Sequence, residues 1–176
     1  ERLERRRGEL ALERKLSARQ PRVVGGALVV PMGLVAERMG SPPPLHAHDT
    51  TRTDKLAIAA VLAAEEVLGR VPVEMPHNNK GYDIESRPAR GELLFIEVKG
   101  RVAGASEFSI TASEILCALN NRENHILALV EVADDDSTEV RYLYDPFTGR
   151  APEPGFGEHT RILSWSDYWT LASPPH

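Results

Sequence analysis

The most regular stretch of the chain runs from residue 52 to 69. Apolar side chains recur at Ile58, Val61, Leu62 and Leu68, the spacing of one helical face, and Gly69 supplies the stop. Short apolar or alternating runs then predict strands at 71–75 (VPVEM), 81–86, 92–100 and 107–111 (EFSIT). Helical spacing returns at 112–121 (ASEILCALNN), with Thr111 or Ser113 near its cap. Residues 124–133 (NHILALVEVA) are apolar almost throughout, as in a strand covered on both faces. The acidic turn Asp134–Ser137 leads to a strand at 139–144. Residues 145–163 are rich in Pro and Gly, and a short helix begins near Ser164, with Asp167 three positions on.

Upstream, the pattern is weaker. Residues 1–19 are helical in composition and end at Gln20-Pro21, but Leu3, Leu10, Leu12 and Leu16 form only a partial stripe. This reads as a solvated helix leading in from an upstream region. Residues 22–30 (RVVGGALVV) read as a strand or hairpin broken at Gly25-Gly26. Residues 40–50 (GSPPPLHAHDT) are a proline-rich linker. His46, His48 and Asp49 have metal-like spacing but no further ligand nearby, so a loop ending in a helix cap is the better reading. The division is a linker segment over 1–50, a core over 51–145 and a C-terminal extension over 146–176. Helix, strands, helix, strands is an α/β order with a mixed sheet flanked by helices.

Charge narrows the partners. The net charge is −5, yet residues 1–20 hold seven basic and four acidic residues, so the remainder carries −8. An acidic domain binds nucleic acid poorly on its own, because phosphate neutralisation needs Lys and Arg. Any such role rests on a local site or a neighbouring domain. The lone Cys117 rules out an internal disulfide and fits a cytoplasmic setting. No apolar run approaches the ~20 residues of a membrane helix. The charged start, ERLERRRGEL, is unlike a secretory signal and reads as a cut from a longer chain.

One stretch, GYDIESRPARGELLFIEVKG (81–100), carries chemistry where a core strand should not. The two runs flank a Pro/Gly turn at 87–91. An antiparallel ladder centred near residue 90 sets Asp83 opposite Glu97, ~5 Å apart. Glu97 and Lys99 share that face; Leu94, Ile96 and Val98 point the other way. Two carboxylates this close repel unless a cation intervenes. Mg²⁺ or Mn²⁺ suits them, with the Val98 carbonyl as a further ligand and Lys99 beside the ion. Taken alone, Glu97-Val98-Lys99 is ordinary strand-face alternation; the position of Asp83, the turn and the acid-bearing helix upstream argue for more. On that helix Glu65 lies on the apolar stripe, which needs a partner or a place at the stripe's edge.

This arrangement resembles the PD-(D/E)XK, or restriction-endonuclease-like, nuclease superfamily: an acidic helix, Asp on one strand, Glu-x-Lys on the next, then a helix. More narrowly, GYDIESR, FIEVKGR, SITASEILCAL and ILALVEV resemble the protein NO VEIN C-terminal domain, found at the end of bacterial helicase-like proteins. RRRGELALERKLSARQPRVVGGALVVPMGL resembles the segment joining such a helicase to it. The resemblance implies a three-layer core and a metal-dependent nuclease acting on nucleic acid, DNA in the first instance, delivered by an upstream helicase in defence or DNA processing. Asp83 and Glu97 would be metal ligands, Lys99 the catalytic lysine and Glu65 the helix acid. Glu114 and Arg101 fall at recurrent positions of the narrower family without an assigned role. Lys80, Arg87, Arg90 and Arg101 are candidate phosphate contacts. The alternative is an inactive nuclease-fold module that docks nucleic acid or protein.

Overall fold

The computed structural model describes residues 2–14, 26, 38, 50–151, 153–155 and 157–176. The chain divides into two units, 1–47 and 48–176. In the first, helix α1 (Arg2–Glu13) buries none of its residues. Its Leu3 and Leu12 are exposed, and its charges pair along its own surface, as in Arg6 with Glu9. Apart from Gly26 and Thr50, the expected strand at 22–30 and the linker at 40–50, with His46, His48 and Asp49, lie outside the described residues.

The second unit runs α2 (Thr50–Val67), β1 (Val71–Glu74), β2 (Ile84–Arg87), β3 (Leu94–Val102), β4 (Glu107–Thr111), α3 (Ala112–Asn120), β5 (His125–Val132), β6 (Thr138–Tyr144), β7 (Thr160–Ser164) and α4 (Trp165–Leu171). Five strands form one sheet in the order β1-β2-β3-β5-β6. Among the described residues only the β3–β5 pair is parallel, and parallel neighbours need a crossover, supplied here by β4 and α3.

Side-chain alternation splits the core into two layers. Ile96, Val98, Ile126, Ala128 and Val130 face α2, where Ala57 and Val61 are fully buried. Gly100 lets that helix approach: a Cβ there would lie 2.7 Å from the Cβ of Ala57. Leu127, Leu129 and Leu143 face the other way, onto Phe108, Ile110, Ile115, Trp165 and Tyr168. β5 is therefore buried on both faces, as its unbroken apolar run implied. Helix, mixed sheet, and helices with a small second sheet make the expected three layers.

The C-terminal part is more integral than its composition suggested. β7 pairs antiparallel with β4, from Glu107↔Ser164 to Thr111↔Thr160, as a separate two-stranded sheet. No strand was expected here, because β7 has only two apolar residues and follows a Pro/Gly-rich segment. Ser164 caps α4, accepting from the Asp167 amide as expected. Phe147, Trp165, Tyr168 and Ala172 complete the second core layer. No helix among the described residues is long and apolar enough to cross a membrane.

Candidate active site

The site begins where β2 stops. The hairpin register pairs Ile84 with Ile96, and one step further sets Asp83 against Glu97. The Asp83 amide still donates to the Ile96 carbonyl at 2.9 Å. Its side chain then takes over from the absent strand: carboxylate Oδ2 accepts the Val98 amide at 2.9 Å. Past this point no strand among the described residues pairs with β3 on that edge, and an open pocket of about 490 Å³ lies there.

Glu97 is 3% exposed. Lys99, on the same face, donates to Glu97 Oε1 at 2.6 Å and to Glu114 Oε2 at 2.8 Å. Glu114 is placed by a capping box at the start of α3. Its amide donates to Thr111 Oγ1 at 3.3 Å, and its Oε2 accepts the Thr111 amide at 3.1 Å. One carboxylate oxygen thus both starts the helix and tethers the lysine. The sequence offered a signal for this, a Thr with Glu three residues on at a strand–helix junction.

Burial raises the Glu97 carboxyl well above its ordinary range, against the pull of Lys99 and with the help of the Asp83 charge. Asp83 is raised for the same first reason, opposed by the Val98 amide. Burial by itself would lower the Lys99 ammonium, but Glu97 and Glu114 together outweigh it and raise it. Glu114 is lowered: burial works against its charge, and Lys99 and Thr111 win. The cluster is therefore one fixed cation among three acids, with two of the acids short of stabilisation. Behind it His125 is fully buried, and burial pushes its imidazole down to about 4.

That shortfall is what a hard cation would relieve. Among the described residues, Asp83 and Glu97 each spend one oxygen on the contacts above, and the second oxygen of each receives no hydrogen bond. No group of three His, Cys, Asp or Glu side chains among the described residues forms a ready-made metal cage. Mg²⁺ does not need one: it takes one or two carboxylates and retains waters. The donor set fits it, with the Val98 carbonyl leaving the same strand edge as its amide.

The family described as protein NO VEIN, C-terminal, matches residues 53–143, just over half of the chain. The chain belongs to that family. No curated protein matches it. Among solved structures, the Holliday junction resolvase Hjc of Archaeoglobus fulgidus is similar with a TM-score of 0.43 and 14% identity, over 70% of this chain and 89% of that one.

Not every expected residue reaches the pocket of this NO VEIN C-terminal domain. Asp83, Glu97, Val98, Lys99 and Arg101 line it, and Glu114 joins them. Glu65 does not. It is fully buried on the α2 side, where Arg70 Nη1 donates at 3.1 Å and the Tyr142 hydroxyl at 2.8 Å. The acid that α2 does present to the pocket is Asp54, raised by burial and opposed by Arg101 and Lys99. Lys80 and Arg87 are exposed and outside the lining, as is Arg90.

Proposed function

We propose that this domain is a divalent-metal-dependent phosphodiesterase acting on nucleic acid, DNA first. One observation carries the reading: Asp83, Glu97 and Lys99 meet on the wall of an open pocket with two carboxylate oxygens uncommitted. Asp83 and Glu97, with the Val98 carbonyl, would hold Mg²⁺ or Mn²⁺. Such an ion supplies a Lewis acid for a phosphoryl oxygen and lowers the pKa of a water. Lys99, kept protonated by its two carboxylates, places a fixed positive charge where negative charge grows on the phosphoryl group. The pocket opens to solvent, so an attacking water has access.

The acidic domain suits a strand handed to it rather than captured; an upstream helicase would deliver that strand, in defence or DNA processing in the cytoplasm. A second reading has its own observation. Lys99 is already satisfied by Glu97 and Glu114, so the cluster also works as a self-contained ion network in a docking module. Incubation of the full chain with single- and double-stranded DNA in Mg²⁺ or Mn²⁺ separates the two. Cleavage that Asp83→Ala abolishes is the expected result. No cleavage, with calorimetry showing equal metal uptake by parent and variant, favours the module.

A further inference from the structure

Two cations from β3 line the pocket, and they are held differently: Lys99 by two carboxylates, Arg101 by backbone carbonyls. β3 alternation puts Arg101 on the face of Glu97 and Lys99, its Cα ~6.6 Å beyond that of Lys99. Its Nε donates to the Glu107 carbonyl at 3.2 Å and its Nη1 to the Gly100 carbonyl at 2.6 Å. Both acceptors are uncharged. Among the described residues no carboxylate forms an ion pair with Arg101, whereas Lys99 is held by two. Asp54 is near enough to favour its charge but does not bond to it. Nη2 receives no acceptor among the described residues.

The result is a guanidinium fixed in orientation and half-buried on the pocket's lining, with no carboxylate bonded to it among the described residues. A fixed guanidinium fork is the side chain best matched to phosphate oxygens. The offset from Lys99 compares with the separation of consecutive phosphates along an extended strand. We propose that Arg101 binds the phosphate next to the reacting one and so sets the strand's register in the pocket. The proposal rests on the phosphodiesterase reading for the word "reacting", but the binding itself does not require turnover. Lys80 and Arg87 lack the anchoring: both are exposed and outside the lining.

The test is a fluorescence-anisotropy titration of a labelled ten-nucleotide DNA strand on the full chain, in Ca²⁺, from ~50 mM salt upward. Arg101→Met should weaken binding roughly 10- to 100-fold, the loss of one charge-assisted contact. It should also flatten the salt dependence by about 0.7 in log–log slope, one phosphate's share on a single strand. Arg101→Lys should recover part of the affinity and the full slope, and it decides the matter if the Met variant melts early. Arg122→Ala, an exposed charge elsewhere, should change neither. A strand with methylphosphonate linkages should bind more weakly than its phosphodiester parent in the wild type and show a smaller difference in Arg101→Met. Inorganic phosphate competing at micromolar concentration would place a free anion there and overturn the strand assignment. Unchanged affinity and slope in Arg101→Met overturns the proposal even if the wild type cleaves DNA. An Arg101-dependent slope in a chain that never cleaves leaves the proposal standing and removes the hydrolysis.

Discussion

Two buried glutamates face opposite sides of the same sheet, and they do opposite work. Glu65 is sealed: Arg70 Nη1 reaches both of its oxygens, at 3.1 and 3.4 Å, and Tyr142 adds a third bond at 2.8 Å. Arg70 in turn holds the His176 carbonyl at 2.8 Å. Glu97 is just as deeply buried but half-served, with Lys99 on one oxygen and no hydrogen bond to the other among the described residues. The lesson is that burial of an acid does not mark a site. An uncommitted oxygen facing an open pocket does, because that group retains chemistry that the fold has not used.

The largest effect follows from the sealed partner. Glu65→Ala leaves the Tyr142 hydroxyl and the Arg70 guanidinium facing a cavity, and breaking such a buried pair costs about 3–5 kcal/mol. Denaturant unfolding should show that loss, while calorimetry shows metal affinity at Asp83 and Glu97 unchanged. A fall in metal affinity with little loss of stability would exchange the roles of the two glutamates.

Lys99→Ala attacks the open side. Phosphodiester cleavage should fall about 10²- to 10³-fold, the scale of one lost transition-state donor. Removing the cation leaves Asp83, Glu97 and Glu114 with no counter-charge in the cluster, so the variant should also be less stable above pH ~5. Mg²⁺ should raise its melting temperature more than it raises the parent's, by mass action on the native state. An equal increment in the two proteins would mean that the ion does not sit among these carboxylates.

Glu97→Gln gives the pH test. The folded state raises the Glu97 carboxyl above its unfolded value, so ionising it opposes folding. Stability from that group is present below the ordinary carboxylate range and lost as pH rises through the raised value. Without metal, the Gln variant should be more stable than the parent at pH 7, and the advantage should vanish near pH 4. Thermal melts across that window in chelator decide it. Greater parent stability at pH 7 would show that the Lys99 contact outweighs burial.

Much of the site was legible because a hairpin is local. Pro88 and Gly91 fix the turn, and Gly91 takes a φ of +120°. The register then places Asp83 against Glu97 by counting alone. Glu65 was not legible for a geometric reason. Asp54 and Glu65 lie within ~20° of the same direction on a helical wheel, but three turns, ~16 Å, apart along the axis. Periodicity sees the face and not the depth, and only the sheet beneath decides that Asp54 meets the pocket and Glu65 meets Tyr142. Thr111 was visible as a candidate cap, but Glu114 had no role in the sequence, because its contact with Lys99 depends on the β4–α3 junction folding back over β3. β7 was hidden because its partner, β4, lies about fifty residues upstream and its own pattern is too short.

The smallest effect sharpens the comparison most finely, because it separates the helix cap from the lysine tether. Thr111→Ala removes the hydroxyl that accepts the Glu114 amide. It keeps the Thr111 backbone amide that donates to Glu114 Oε2, and it keeps the Glu114–Lys99 contact. Loss of a Thr cap costs about 1 kcal/mol. On the open side of the sheet, that cost should appear in stability alone, with the Mg²⁺-dependent rise in melting temperature preserved. α3 is held along its length by Ile115 and Ala118 in the core, so losing the cap frays its first turn without moving Glu114. Parallel melts of parent and variant, with chelator and with Mg²⁺, read both quantities. Loss of the metal increment along with the cap would show that the first turn of α3 sets the geometry of Lys99, and that the pocket depends on its cap as strictly as Tyr142 and Arg70 depend on Glu65.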